Sequence, residues 1–215
     1  MPNTTSCRIV VMAKAPEPGL CKTRLIRALG AQGAARLAAC MLQHTVKNAL
    51  AANIGLVEIC AAPSAEHGAW QTLDFPSGLQ WSDQADGDLG VRMAAAAQRT
   101  LARGEHVLLI GSDCPTLCAQ TLRTAAGALA SHDAALVPTF DGGYALLALA
   151  RFHSGIFEDM LWSTPGVAGT TLTRLAQDGW RVQVGAMLHD VDEPADLIHL
   201  PFALRAELEG LPHGT

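Results

Sequence analysis

"HVLLIGSDCP", residues 106–115, decides how this chain is read. A short apolar run, Val107 to Ile110, leads into Gly111, Ser112 and a lone Asp113, and Pro115 ends the run. An apolar run of that length bounded by turn residues reads as a buried strand. Its tip then presents one carboxylate. Two readings compete for Asp113. It caps the helix that follows, or it binds a divalent ion, since Mg²⁺ takes one or two carboxylates together with substrate phosphates and water. The second reading requires another carboxylate from elsewhere in the chain.

Outward from this strand, the pattern alternates. Residues 7–14 and 54–62 read as buried strands, 78–83 as a shorter one, and 134–138, 143–150 and 180–185 as three more. Between them, residues 23–50 carry helical spacing, with Gly30 and Gly33 expected to divide a short helix from a long one. Residues 64–73 are weakly helical. Helices are also expected at 91–103, 117–131, 154–161, 169–178 and 193–208, the last with Pro194 in its first turn. Strand and helix in alternation predict parallel pairing with right-handed crossovers, and the later strands suggest some antiparallel pairing. The expected fold is α/β: a three-layer α/β/α domain with a mostly parallel, mixed sheet, spanning 1–215 as one unit. Ligands of such sheets bind beyond the carboxyl ends of the strands. Asp113, the loop 14–23 and the loop 84–90 all fall there.

Composition bounds the function. The chain has 215 residues, 49% hydrophobic and 16% charged, enough apolar residues for a sizeable core. The net charge is −5 and no Lys/Arg stripe occurs, which argues against nucleic acid as a partner. The six cysteines form no CxxC pair, so zinc is not expected. The N-terminal apolar run is too short for a signal peptide or a membrane span. A cytoplasmic protein with reduced thiols is expected. The oligomeric state is open, a homodimer being one option.

Several segments carry residues suited to chemistry. "MAKAPEPGLCKTRL" (12–25) packs Lys14, Lys22 and Arg24 around Gly19 and Thr23, where cations and helix-start N–H groups suit phosphate oxygens. It is not a P-loop, because Cys21 rather than Gly precedes Lys22. The bland alternative is a solvated turn. "HDVDEPADL" (189–197) supplies Asp190 and Asp192 ahead of a helix whose dipole already accounts for Glu193 and Asp196. One of the first two could be an N-cap, but not both. "PTFDGGYALLAL" (138–149) places Asp141 before Gly142, Gly143 and Tyr144, either as a tight turn or as a close backbone approach to a ligand. "LWSTPGVAGTTL" (161–172) offers Trp162, Ser163 and Thr164. His189 beside Asp190 could reach a metal, although a lone histidine is more often structural. No GxSxG or HExxH motif occurs, so triad or zincin catalysis has no local support.

Taken in order, "MAKAPEPGLCKTRL", "GDLGVRM", "LLIGSDCPTL", "FDGGYALLAL", "WST" and "DVDEPADL" resemble a bacterial family of small GT-A-like, nucleotide-diphospho-sugar (glycosyl) transferase-like proteins. That family is related to molybdenum-cofactor nucleotidyltransferases and 2-phospho-lactate guanylyltransferase. The resemblance runs from residue 9 to about 197. It implies a nucleotide-diphospho-sugar transferase (GT-A, Rossmann-like) fold, with Mg²⁺ or Mn²⁺ as cofactor and a nucleotide or nucleotide-sugar plus a small-molecule acceptor as partners. By the resemblance, Lys14, Gly19, Lys22, Thr23 and Arg24 would hold the phosphates, and Asp88, Gly90 and Arg92 would lie beside the nucleoside. Asp113 would be the metal aspartate, with Asp190 or Asp192 as second ligand. Asp141, Gly142, Gly143, Tyr144, Trp162, Ser163 and Thr164 would meet the sugar or acceptor. Asp113, Asp141 and Lys22 are the catalytic candidates. Cys21 and Ala145 depart from the family pattern without removing a charge.

Two reactions fit these parts. In glycosyl transfer an acceptor attacks the anomeric carbon and a nucleoside diphosphate leaves. In nucleotidyl transfer, attack falls on the α-phosphorus of a triphosphate and pyrophosphate leaves, the acceptor being a small phosphorylated or cofactor molecule. The "AKAPEPG" loop lacks the paired glycines of classical sugar-phosphate nucleotidyltransferases, which favours the first. A non-catalytic nucleotide-binding module is a third reading.

Overall fold

The computed structural model describes residues 5–209. Seven strands form one sheet: β1 (Cys7–Lys14), β2 (Gly55–Ala62), β3 (Gln80–Asp83), β4 (His106–Ile110), β5 (Ala134–Pro138), β6 (Tyr144–Leu149) and β7 (Val182–Val184). Their order is β3-β2-β1-β4-β6-β5-β7. Only β6 runs antiparallel to its neighbours, β4 and β5. The remaining ladders, β1 with β2 and β4, β2 with β3, and β5 with β7, are parallel. The expected three-layer, mostly parallel mixed sheet is therefore present.

The layers follow from the two-residue period of the strands. Ile9, Val11, Leu108 and Ile110 pack on one face against Leu42 and Val46 of α1 (Ile26–Ala52) and Leu122 of α3 (Ala119–Ala128). The alternate residues Val10, Val107 and Leu109 pack on the other face, against Met93 of α2 (Leu89–Leu101) and Leu175 of α4 (Val167–Gln177). Strands that are apolar on both faces are what a sheet covered on both sides demands.

Three local expectations are corrected. The helix 23–50 is divided once, at Gly30 (φ 69°, ψ 166°), while Gly33 is buried within α1. Only a single 3-10 turn, Ser154–Ile156, forms within 154–161. The helix expected over 193–208 is two pieces, a 3-10 turn at Pro194–His199 and α5 (Phe202–Glu209). Pro201 explains the break: the residue before a proline is pushed to extended backbone, and Leu200 has ψ 130°. The segment Thr23–Ala52 is long and apolar enough, by length and composition, to cross a membrane. In this fold its apolar side chains Leu37, Met41, Leu42 and Val46 are buried against the rest of the chain.

Candidate active site

The site lies beyond the carboxyl ends of β1, β4 and β5. Asp113 does not cap α3. That helix starts at Ala119, and Asp113 instead stands half exposed in the cleft, its Oδ1 2.5 Å from the Lys22 Nζ. The Lys22 Nζ also lies 2.6 Å from Oδ1 of Asp192. One buried ammonium thus joins two carboxylates from segments far apart in sequence. Lys22 has an uncommon left-handed backbone (φ 44°), and its side chain is 8% exposed. Burial pulls the lysine pKa down. Asp113 and Asp192 together outweigh that and hold it above its ordinary value.

Backbone and core pin this arrangement. The Val191 N–H donates to the Asp113 carbonyl at 2.9 Å, and the Leu188 N–H donates to the Pro138 carbonyl at 2.9 Å. The stretch 188–192 is thereby threaded between the ends of β4 and β5, with Asp192 beside Asp113. Val191 and Leu25 are fully buried in one small cluster with Leu37 and Met41, so the core that seats Asp192 also seats the turn after Lys22. Neither Asp190 nor Asp192 is a cap. The 3-10 turn's N-cap is Glu193, and the Asp196 carboxylate accepts from the Asp192 and Glu193 N–H groups.

Two adjoining cavities meet at these carboxylates. The larger, about 690 Å³, is lined by Lys14, Lys22, Thr23, Arg24, Asp88 and Arg92, among others. The smaller, about 280 Å³, is lined by Asp190, Gly143, Tyr144, Trp162, Thr164 and several apolar side chains. Asp113, Asp141, Ser163 and Asp192 line both. Asp141 Oδ1 accepts from Thr139 Oγ1 at 2.5 Å and from the Gly143 N–H at 2.9 Å, which leaves Oδ2 for a ligand. Burial, and then the neighbouring Asp141, push the Asp190 carboxyl up to about 6. Burial also raises the Tyr144 phenol.

Three of the expected site residues act on shape. Gly19 (φ 83°) turns the loop without lining either cavity. Gly90 likewise lines neither, and a Cβ there would lie 2.5 Å from the Phe157 carbonyl and 2.9 Å from Trp162 Nε1. Its bareness is what lets Trp162 close over α2. Gly142 (φ 90°) admits the Pro165 carbonyl, which would be 2.0 Å from a Cβ. Asp88 has a structural task as well, capping α2 through the Val91 N–H at 2.9 Å. His189 is sandwiched between Phe140 and His199, with ring centroids 4.0 and 3.6 Å away.

Sequence reading missed Gln84, whose amide donates to the Ala13 and Cys60 carbonyls and so ties β1 to β2 beside the larger cavity. Its only sequence signal was its place directly after a strand. Thr139, which orients Asp141, was also missed.

Among the described residues no three His, Cys, Asp or Glu side chains converge as a metal-binding group. The donor set available is the Asp113–Asp192 pair, each with an oxygen within 2.6 Å of the Lys22 Nζ. Two carboxylates completed by phosphates and water is the set Mg²⁺ uses, whereas zinc prefers His and Cys. The chemistry of this pair fits a hard divalent ion.

The family DUF2064, described as an uncharacterized protein conserved in bacteria, matches residues 45–164. A search of curated proteins finds no match. Among solved structures, a "putative nucleotide-diphospho-sugar transferase" from Desulfovibrio desulfuricans G20 is 30% identical, with TM-score 0.83 over 90% of this chain and 85% of that one. Rv0371c from Mycobacterium tuberculosis H37Rv, in complex with manganese, is 18% identical, with TM-score 0.56 over 91% and 97%. CMP:2-keto-3-deoxy-manno-octonic acid synthetase complexed with CTP is 14% identical, with TM-score 0.55 over 96% and 100%. The last two share the fold with this chain.

Proposed function

The chain belongs to the DUF2064 family of proteins conserved in bacteria, and on that premise we propose that it is a divalent-metal-dependent transferase that moves a glycosyl group from a nucleotide-diphosphate sugar to a small acceptor. The observation that carries this reading is the Asp113–Lys22–Asp192 cluster at the seam of a cationic cavity and a smaller, apolar and acidic one. The 30%-identical Desulfovibrio protein and the manganese complex of Rv0371c point the same way.

In this reading Lys14, Lys22, Thr23 and Arg24 bind the diphosphate, and Asp88 and Arg92 flank the nucleoside. Asp113 and Asp192 hold Mg²⁺ or Mn²⁺. When bound, such an ion neutralises charge on a departing diphosphate. The acceptor hydroxyl oxygen bonds to the anomeric carbon as the bond from that carbon to the diphosphate oxygen breaks. The nucleoside diphosphate leaves with the electron pair, and the hydroxyl proton passes to Asp141 Oδ2. Fixed charge from Lys22 and Arg24 stabilises the leaving group.

Nucleotidyl transfer is the second reading, favoured by the fold shared with the CTP-bound synthetase. A thermal-shift panel separates the two. Nucleotide-diphosphate sugars with Mn²⁺ are expected to raise Tm by mass action, and Asp113→Ala is expected to remove the metal-dependent part of that rise. Shifts with triphosphates alone would sink the glycosyl reading. An unchanged metal effect in Asp113→Ala would remove Asp113 from the metal site.

A further inference from the structure

We propose that the smaller cavity selects a non-anionic acceptor, one that offers hydroxyl or ammonium hydrogen-bond donors to carboxylates and an apolar face to Trp162 and Tyr144. The inference rests on the transferase reading and deepens it, because it assigns the acceptor's chemical class. It excludes phosphorylated and carboxylated acceptors.

The argument is charge segregation across the seam. All the cationic side chains of the cleft, Lys14, Lys22, Arg24 and Arg92, line the larger cavity. Among the described residues no Lys, Arg or His lines the smaller one, which is bordered by Asp113, Asp141, Asp190 and Asp192. Lys22 offsets Asp113 and Asp192 only, from the far side of the seam. Asp141 and Asp190 have no ion pair among the described residues. With Asp113 and Asp192 taken up by Lys22 or by the metal at the seam, an anion inside this cavity still meets Asp141 and Asp190, which no cation offsets among the described residues, and like charges brought together strongly disfavour a wrong partner.

The same walls suit a different guest. Carboxylate oxygens only accept hydrogen bonds, so they call for donors. Asp141 has Oδ1 already engaged by Thr139 and Gly143, which leaves Oδ2 to accept one. Trp162, Tyr144, Met12 and Met93 supply apolar and aromatic surface for a ring face, or for an ammonium group over an aromatic ring. About 280 Å³ is close to the small end of ligand pockets and suits a single ring. The cleft therefore sorts its two substrates by charge, the phosphate anion on one side and the non-anionic acceptor on the other.

Isothermal titration of the wild-type protein tests this with matched pairs: methyl glucoside, glucosamine, glycerol and inositol against glucose 6-phosphate, glucosamine 6-phosphate, glycerol 3-phosphate and inositol phosphate. Each is titrated with and without saturating UDP or GDP and Mn²⁺. The expected result is that at least one unphosphorylated probe binds about tenfold or more tightly than its phosphate ester, a gap of about 1.4 kcal/mol. Comparing glucosamine with methyl glucoside tells ammonium from hydroxyl recognition. Trp162→Ala should weaken that binding several-fold more than it weakens UDP or GDP binding, since Trp162 lines the smaller cavity and not the larger. Phosphate esters binding as well or better, neither class binding, or acceptor binding indifferent to Trp162→Ala would each overturn the proposal. Failure of the transferase reading shows separately, as no binding of either nucleotide with metal.

Discussion

The Lys22 ammonium sits where two carboxylates converge, so a divalent ion and this lysine compete for one place. Lys22→Met should therefore strengthen binding of Mn²⁺ alone, measured by titration without nucleotide, while weakening nucleotide binding. A loss of Mn²⁺ affinity would instead mean that the lysine is needed to hold the two carboxylates in place. Asp190 gives a second prediction at this scale. Its carboxyl is raised from 3.8 to about 6 by burial and by Asp141. The folded chain keeps this proton to higher pH than the unfolded chain does. The associated stability is thus fully present below pH 4 and is lost as pH rises through about 6. In metal-free buffer Asp190→Asn should raise Tm at pH 8, and the gain should fade toward pH 4. Equal gains at both values would refute the assignment.

Among the elements, the sheet is tied to α2 by a buried ionic network that composition does not reveal. Arg8 of β1 reaches Glu58 of β2 at 3.1 Å and Glu105 at 2.8 Å. Arg99 of α2 and Ser82 of β3 also hydrogen-bond to Glu58. The Glu58 side chain is 3% exposed. Removing one partner from a buried pair strands the other charge, so Glu58→Ala should cost about 3–5 kcal/mol in urea unfolding. Arg99→Ala should cost less, because that side chain is 30% exposed and water can replace part of its role. A cost for Glu58→Ala within the range of surface substitutions would show the network to be dispensable. The break at Pro201 and the kink at Gly30 belong to this scale too. The proline's effect on Leu200 was readable from its ring chemistry. The choice of Gly30 over Gly33 was not, because it depends on which glycine meets the packed core.

Across the whole molecule, charge is distributed against its total. A chain of net charge −5 gathers its cleft cations on one side of the strand ends. Lys14 and Arg24 are exposed there. Nucleotide binding should therefore weaken as salt rises from about 0.1 M to 1 M, where the Debye length falls from about 10 Å to 3 Å. Binding of an uncharged acceptor should change little over the same range. Titrations across a salt series read both, and parallel salt slopes would contradict the division of charge between the cavities.

The sequence by itself determined the alternation of strands and helices, the parallel sheet, and the placing of Asp113 and the cationic loop at strand ends. These depend on the two-residue and 3.6-residue periods and on Gly and Pro chemistry, all of which are local. Tertiary structure decided that β6 inserts antiparallel between β4 and β5, that Arg8 and Glu58 share the interior, and that Asp192 rather than Asp190 joins Asp113 through Lys22. Asp190 and Asp192 stand two residues apart before the same turn, and no local rule separates them. They are told apart by the hydrogen bond from Val191 to Asp113 and the burial of Val191 beside Leu25. Those contacts join distant segments and exist only once the chain has closed on itself.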